Sequence, residues 1–297
     1  MVKGNYLIAK LHMKKIFLII SLSCSLLGFA QTVTEPVNNP KEWSQTTEPF
    51  RIAGNLHYVG TYDLASYLIV TEKGNILINT GLANSLSIIK ENIKALGFDY
   101  KSIKILLLTQ AHFDHLGAMA EIKKETGAKL YVNEKDADAL ETGGKSDYEL
   151  GKYGMSFKPV KPDFLLKNND KIKLGNTTVT MLHHPGHTKG SCSFIFDTKD
   201  KNSSYKILIA NMPSIIVDRK FSEIASYKDI QKDYAETFKA MKKLNFDLWV
   251  ASHASQFDLH DKRKSGDPYN PKVFMNKSKF FKDLQDLENV FLEKIKN

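Results

Sequence analysis

The densest concentration of reactive side chains lies in Gln110-Ala111-His112-Phe113-Asp114-His115-Leu116-Gly117, where two imidazoles and a carboxylate fall within four residues. Neutral imidazole and carboxylate together are borderline-soft donors suited to Zn2+, at about 2.0–2.2 Å. Two further histidines fall in comparable settings, His187 in "HHPGHTKGS" and His253 in "ASH". A tight turn after a strand lets residues two apart point into one cavity. Gln110, His112 and Asp114 can therefore share a side, with His115 turned onto a neighbouring position. Gly117 and Gly186 would permit close backbone approach there. Of the nine histidines, His57, His183, His184 and His260 read individually as core or surface groups satisfied by a hydrogen bond.

For these groups to meet, the elements before them must end at one edge. The continuous apolar run Ile103 to Leu108 reads as a strand buried on both faces, and it stops just before Gln110. Thr177 to Leu182 precedes His187, and Leu248 to Ala251 precedes His253; if the three strands are neighbours running the same way, all four imidazoles converge. Leu56 to Val59, Ser66 to Val70, Ile76 to Ile78, Leu130 to Val132, Ser191 to Phe196 and Tyr205 to Ile209 also read as strands. Helices are expected from Ser85 to Leu96 with Asn84 as N-cap and Gly97 as stop, from Leu116 to Gly127, near Glu134 to Leu140, from Tyr227 to Leu244, and from Lys277 to Ile295. The last would turn Phe281, Leu284, Leu287 and Phe291 inward. Glu141 to Pro162, with four glycines and two prolines, reads as a long loop of the kind that forms lids. Strands, then strand-helix alternation, then the same again predict two sheets with helices packed outside them, an α/β architecture.

At 297 residues, 42% hydrophobic and 25% charged, the chain can bury a large core. Met13-Lys14-Lys15, the apolar run from Ile16 to Phe29 and Gly28-Phe29-Ala30 have the form of a secretory signal peptide initiating at Met13 and cleaved after Ala30. The apolar run is shorter than the roughly 20 residues that span a bilayer. Residues 1–30 are thus expected to be a signal peptide and 31–297 one domain, exported to the periplasm without a stable membrane anchor. Cleavage leaves Cys192 as the sole cysteine, so no internal disulfide is expected. It also takes four lysines from a formal charge of +9, leaving +5. The remaining bases are scattered among acids with no arginine-aromatic stripe, which argues against nucleic acid as a partner. A small anionic substrate suits the mild positive field, and a monomer is expected.

"QAHFDH", "GHTKGS" and "ASH", at their spacing, resemble the metal motifs of the metallo-β-lactamase superfamily, H-x-H-x-D-H followed by two later histidines. The resemblance runs from about Phe50 to the C-terminus. It implies an αββα sandwich of two mixed sheets flanked by helices, with Gln110, His112 and His187 as a first zinc site and Asp114, His115 and His253 as a second. Met212 falls where many relatives carry a metal-bridging aspartate, which resembles class B β-lactamases of the third subclass. The glutamine opening the first motif is similar to the GOB-type among them. Asn79 in "LINTG" departs from the superfamily's usual aspartate.

The implied activity is an exported zinc-dependent β-lactamase. It would open the amide of penicillins, cephalosporins and carbapenems with a zinc-bound hydroxide that Asp114 orients, and Ser214 would hold the substrate carboxylate. One or two Zn2+ ions are implied, with the second site the tighter because an amide oxygen is a poorer donor than imidazole. Lys189 and the Glu141 to Pro162 loop are further candidates for substrate contact. An exported thioester or lactone hydrolase, and a zinc-binding protein without catalysis, are the competing readings.

Overall fold

The computed structural model describes residues 34–201 and 203–296. The proposed signal peptide, residues 1–30, lies outside them. Seven strands follow one another in chain order across the first sheet: β1 (Phe50–Ala53), β2 (Leu56–Tyr58), β3 (Tyr67–Thr71), β4 (Gly74–Ile78), β5 (Ile103–Leu107), β6 (Lys129–Asn133) and β7 (Phe164–Leu166). β1 to β4 are antiparallel neighbours, whereas β4 to β7 run parallel. The second sheet has the order β12 (Leu248–Ala251), β11 (Ser204–Ala210), β10 (Cys192–Lys199), β9 (Thr177–His183), β8 (Lys171–Leu174), with β11 and β12 its parallel pair. Both sheets are mixed, and helices flank them, which is the αββα sandwich.

Alternation explains why several strands read as unbroken apolar runs. On β4 and β5, Ile76, Ile78, Ile105 and Leu107 enter the core shared with β9 to β12, while Leu77 and Leu106 face the opposite way. There they meet Ile89 and Ile93 of α1 (Ser85–Ala95) and Met119 and Ile122 of α3 (Met119–Thr126). A strand covered on both faces gains from apolar side chains at every position. On the far side, Tyr234 and Phe238 of α5 (Ile230–Met241) and Phe280, Leu284 and Phe291 of α7 (Lys277–Lys294) cover the second sheet.

The departures from expectation are local. The helix predicted from Leu116 is two pieces, α2 (Phe113–Leu116) and α3, parted at Gly117. A Cβ on Gly117 would lie 2.4 Å from the Ala83 nitrogen, so only glycine lets the strand β4 exit pack against this turn. Asn84 precedes α1 but makes no cap with its side chain, which donates to Ser44 Oγ instead. The helix near Glu134 is α4 (Ala137–Thr142), α6 (Leu259–Lys262) was not anticipated, and α5 is shorter at both ends than Tyr227 to Leu244. On α7, Leu284 and Phe291 are buried as expected, but Phe280, four residues before Leu284 on the same face, is fully buried whereas Phe281 and Leu287 are only partly so. Strands β1, β7 and β8 carry too few apolar residues, or too short a run, to stand out in the sequence. Among the described residues, no helix is long and apolar enough to cross a membrane.

Candidate metal centre

The three strands that precede the histidines are not neighbours in one sheet, as the sequence suggested. β5 belongs to the first sheet, and β9 and β12 belong to the second. Their exit loops meet across the sandwich edge, where the Cys192 amide donates to the Thr109 carbonyl at 2.8 Å and Ala65 bonds to the Ser252 carbonyl at 3.1 Å. The convergence is real, but sheet stacking produces it.

At the floor of the resulting cleft, His187 Nε2 and His112 Nδ1 point at each other, 3.2 Å apart. Beside them Asp114 Oδ2 lies 3.2 Å from His115 Nε2 and 3.4 Å from His253 Nε2. The ligand-type atoms of Asp114, His115 and His253 all fall within 4.8 Å of one another. Gln110, His112, Asp114, His187, Met212, Ser214 and His253 line one cleft of about 390 Å³, and Trp43, Phe113, Leu150, Met155 and Ile216 form its apolar walls. That volume is within the ordinary range for a small-molecule site, about 300–1,000 Å³. Lys189 does not line it; its Nζ lies over the Tyr227 ring.

The residues fit a cation. His115 Nε2 is fully buried with no hydrogen-bond partner although it faces a carboxylate oxygen and a second imidazole. Such an unsatisfied group costs about 1–3 kcal/mol unless something occupies the point on which these donors converge. Burial opposes the charged form of Asp114, but His115 and His253 outweigh it and hold the carboxyl well below its ordinary range. At His253 the Asp114 and Asp63 carboxylates outweigh burial and push it up to about 9. Burial and the neighbouring His112 bring His187 down to about 3. Deeply buried acid and base groups thus crowd together, as metal-binding clusters do.

His253 and His112 are backed by aspartates with no visible signal in the sequence. Asp63, in the β2–β3 connection, takes His253 Nδ1 at 3.0 Å and also accepts from the Ser255 amide and Trp43 Nε1. Asp147, in the long loop after α4, places Oδ2 3.4 Å from His112 Nε2, and its other oxygen accepts from the Glu149 and Leu150 amides. Asp136 is buried between two of the metal loops, accepting from Ala111 N, Thr188 Oγ1 and Gly190 N at 2.7–3.0 Å. The Ser214 carbonyl accepts from His187 Nδ1 at 2.9 Å, and its hydroxyl lies 3.1 Å from the same nitrogen. Gly186 (φ +133°) lets the His187 loop lie against Tyr234, where a Cβ would meet ring carbons at 2.7 Å.

A two-sheet sandwich with a histidine-aspartate cluster in the cleft at its edge defines a candidate metal-dependent enzyme. Residues 61–200 match the model of the metallo-beta-lactamase superfamily. The metallo-beta-lactamase GOB-18 from Elizabethkingia meningoseptica is 70% identical, with a TM-score of 0.89 over 90% of this chain and 99% of that one. The class B3 di-zinc metallo-beta-lactamase LRA-12 from an Alaskan soil metagenome is 59% identical, with a TM-score of 0.87 over 89% and 100%. The chain belongs to the metallo-β-lactamase superfamily, in its class B3 branch and of the GOB type. More distant similarity includes hydroxyacylglutathione hydrolase GloC of Haemophilus influenzae, 32% identical over 96 residues, which are 32% of this chain and 44% of that protein. The chain covers less than two thirds of the length of the first curated relatives it matches.

Proposed function

We propose that the protein is an exported β-lactamase that opens the ring amide of penicillins, cephalosporins and carbapenems. The observation that carries this reading is the placement of His112, His187, Asp114 and His253 on the floor of one apolar-walled cleft, with His115 buried against Asp114 and His253, in a chain 70% identical to a metallo-beta-lactamase. Gln110, His112 and His187 would hold one Zn2+, and Asp114, His115 and His253 a second. Zn2+ in such sites supplies Lewis acidity toward a carbonyl oxygen and lowers the pKa of water to about 7.

The chain's own groups do the rest. Asp114, ionised and buried, offers a carboxylate oxygen that accepts a proton-bearing O–H and orients it toward a carbonyl above the floor. Asp63 and the Ser214 carbonyl fix the rings of His253 and His187, so neither ring need reorganise during turnover. Trp43, Phe113, Leu150, Met155 and Ile216 exclude bulk water from the bicyclic core of the substrate. The Ser214 hydroxyl, at the cleft wall, is the proposed partner of the substrate carboxylate. Met212 offers only a thioether on this wall, which makes no strong bond to Zn2+ and leaves the two ion positions independent. The Asp114, His115 and His253 site is the tighter of the two, because Gln110 brings a neutral amide oxygen to the other.

We also propose that residues 1–30 direct export and are removed, so that the enzyme meets β-lactams in the periplasm. The test is hydrolysis of a chromogenic cephalosporin by protein lacking residues 1–30, before and after chelation, with Zn2+ added back, alongside a glutathione thioester. Chelator-sensitive cephalosporin turnover restored by Zn2+ is expected. Turnover of the thioester alone would assign the site to a thioester hydrolase, and turnover of neither substrate would leave a zinc-binding protein.

A further inference from the structure

Four imidazoles face the metal centre, and each has a second nitrogen turned away from it. Two of these outer nitrogens are hydrogen-bonded to an acceptor, His187 Nδ1 to the Ser214 carbonyl at 2.9 Å and His253 Nδ1 to Asp63 Oδ2 at 3.0 Å, and His112 Nε2 faces Asp147 Oδ2 at 3.4 Å without a hydrogen bond to it. A ring that binds a cation through one nitrogen carries its proton on the other, and an acceptor there both fixes the tautomer and strengthens the ligand. His115 is the exception. Its Nδ1 faces the side-chain amide of Asn79, with Nδ2 at 3.5 Å.

The orientation of that amide follows from its neighbours. The backbone N–H of Thr109 can only donate, and it lies 3.0 Å from the Asn79 oxygen. Turning the amide over would set a donor against a donor at that distance. Asn79 is fully buried, so water cannot relieve the mismatch. Asn79 Nδ2 is thus held toward Thr109 Oγ1, at 3.0 Å, and toward His115. With an N–H aimed at Nδ1, the favoured His115 tautomer carries its proton on Nε2, the nitrogen directed at Asp114 and the centre.

We propose that Asn79 makes His115 the weakest imidazole ligand of the centre, by presenting a hydrogen-bond donor to the nitrogen that must itself donate when Nε2 binds a cation. This rests on the reading that Asp114, His115 and His253 hold Zn2+. Each of the two sites then carries one weakening residue, Gln110 as a direct donor in one and Asn79 behind a ligand in the other. Asn79→Asp would place an acceptor at the same point. The residue has φ +59°, a left-handed conformation that aspartate and asparagine both tolerate.

Zn2+ affinity is measured by competition with a chromophoric chelator, in protein otherwise unchanged and in a His115→Ala background. Asn79→Asp is expected to tighten one of the two ions by on the order of 10-fold or more and to give no gain when His115 is absent. Unchanged affinity, or an equal gain without His115, overturns the proposal. If Asn79→Asp does not fold, 15N NMR of the chelated wild type decides: His115 protonated on Nε2 supports the proposal, and protonation on Nδ1 overturns it. Cephalosporin turnover is recorded separately. Its absence would defeat the proposed activity without altering what the metal affinities report.

Discussion

Asp136 is the best place to test whether the centre is built from two sheets held in register. Its carboxylate accepts three hydrogen bonds, from Ala111 N in the loop after β5 and from Thr188 Oγ1 and Gly190 N in the loop that carries His187. It is the shared acceptor of segments that belong to different sheets, and burial raises its pKa, so its geometry is set against a desolvation cost. In Asp136→Asn one oxygen can still serve Ala111 and Thr188, which both use Oδ2. The amide nitrogen then faces Gly190 N, 2.7 Å away in the native arrangement, as donor against donor. A lost bond to a charged acceptor costs about 1.5–3 kcal/mol and a buried unpaired N–H about 1–3 kcal/mol. The two remaining bonds also lose their charge assistance. We expect a loss of about 3–5 kcal/mol, which for a chain of this size lowers Tm by on the order of 10 °C. Thermal unfolding of Zn2+-loaded protein measures the first effect, and chelator competition measures the looser hold of His112 and His187. A Tm within about 2 °C of wild type, with both ions bound as before, would refute the account of Asp136 as the tie between loops.

Gln110→His should tighten the ion held with His112 and His187, seen as an ion that survives a higher chelator concentration; the same titration of the wild type should release that ion before the one at Asp114, His115 and His253. Ser214→Ala keeps the carbonyl that His187 uses, so Zn2+ affinity should hold while KM for a cephalosporin rises several-fold, and an unchanged KM would remove Ser214 as a substrate contact. His57, buried on β2 against Phe98, is brought down to about 4 chiefly by burial. Its neutral form is the one the fold accepts. The unfolded chain binds the proton near pH 6.5 and the folded chain only near 4, so stability falls as pH drops through that window. The loss reaches about 3 kcal/mol by pH 4. Denaturant titrations at pH 7 and pH 4.5 should show a smaller pH-dependent loss in His57→Gln than in the wild type; equal slopes would refute it.

The chemistry of the centre was legible in the sequence because it is written in residue type and short-range spacing. His112, Asp114 and His115 lie within one turn of chain, and His187 and His253 each follow an apolar run that ends at the same edge. The buried strands were legible for a related reason: β4, β5, β11 and β12 are covered on both faces along most of their length, and unbroken apolar stretches such as residues 76–78, 105–107 and 207–210 leave a clear pattern. Short strands at the sheet edges, such as β7 and β8, have no such pattern, since half of each faces solvent.

What the sequence could not supply was the identity of the groups behind the ligands. Asp63 lies 190 residues from the histidine it supports, and Asp147 sits in a loop that read as a lid or a substrate contact and not as a support for a ligand. A lone aspartate among charged residues carries no mark of its partner. The direction in which Asn79 turns its amide depends on a backbone N–H at Thr109, 30 positions away. These are hydrogen bonds between segments distant in the chain, and their geometry exists only once two sheets have stacked. Residue types therefore determined that this chain carries the side chains of a metal centre; the packing of the sandwich decided which nitrogen of each histidine faces it.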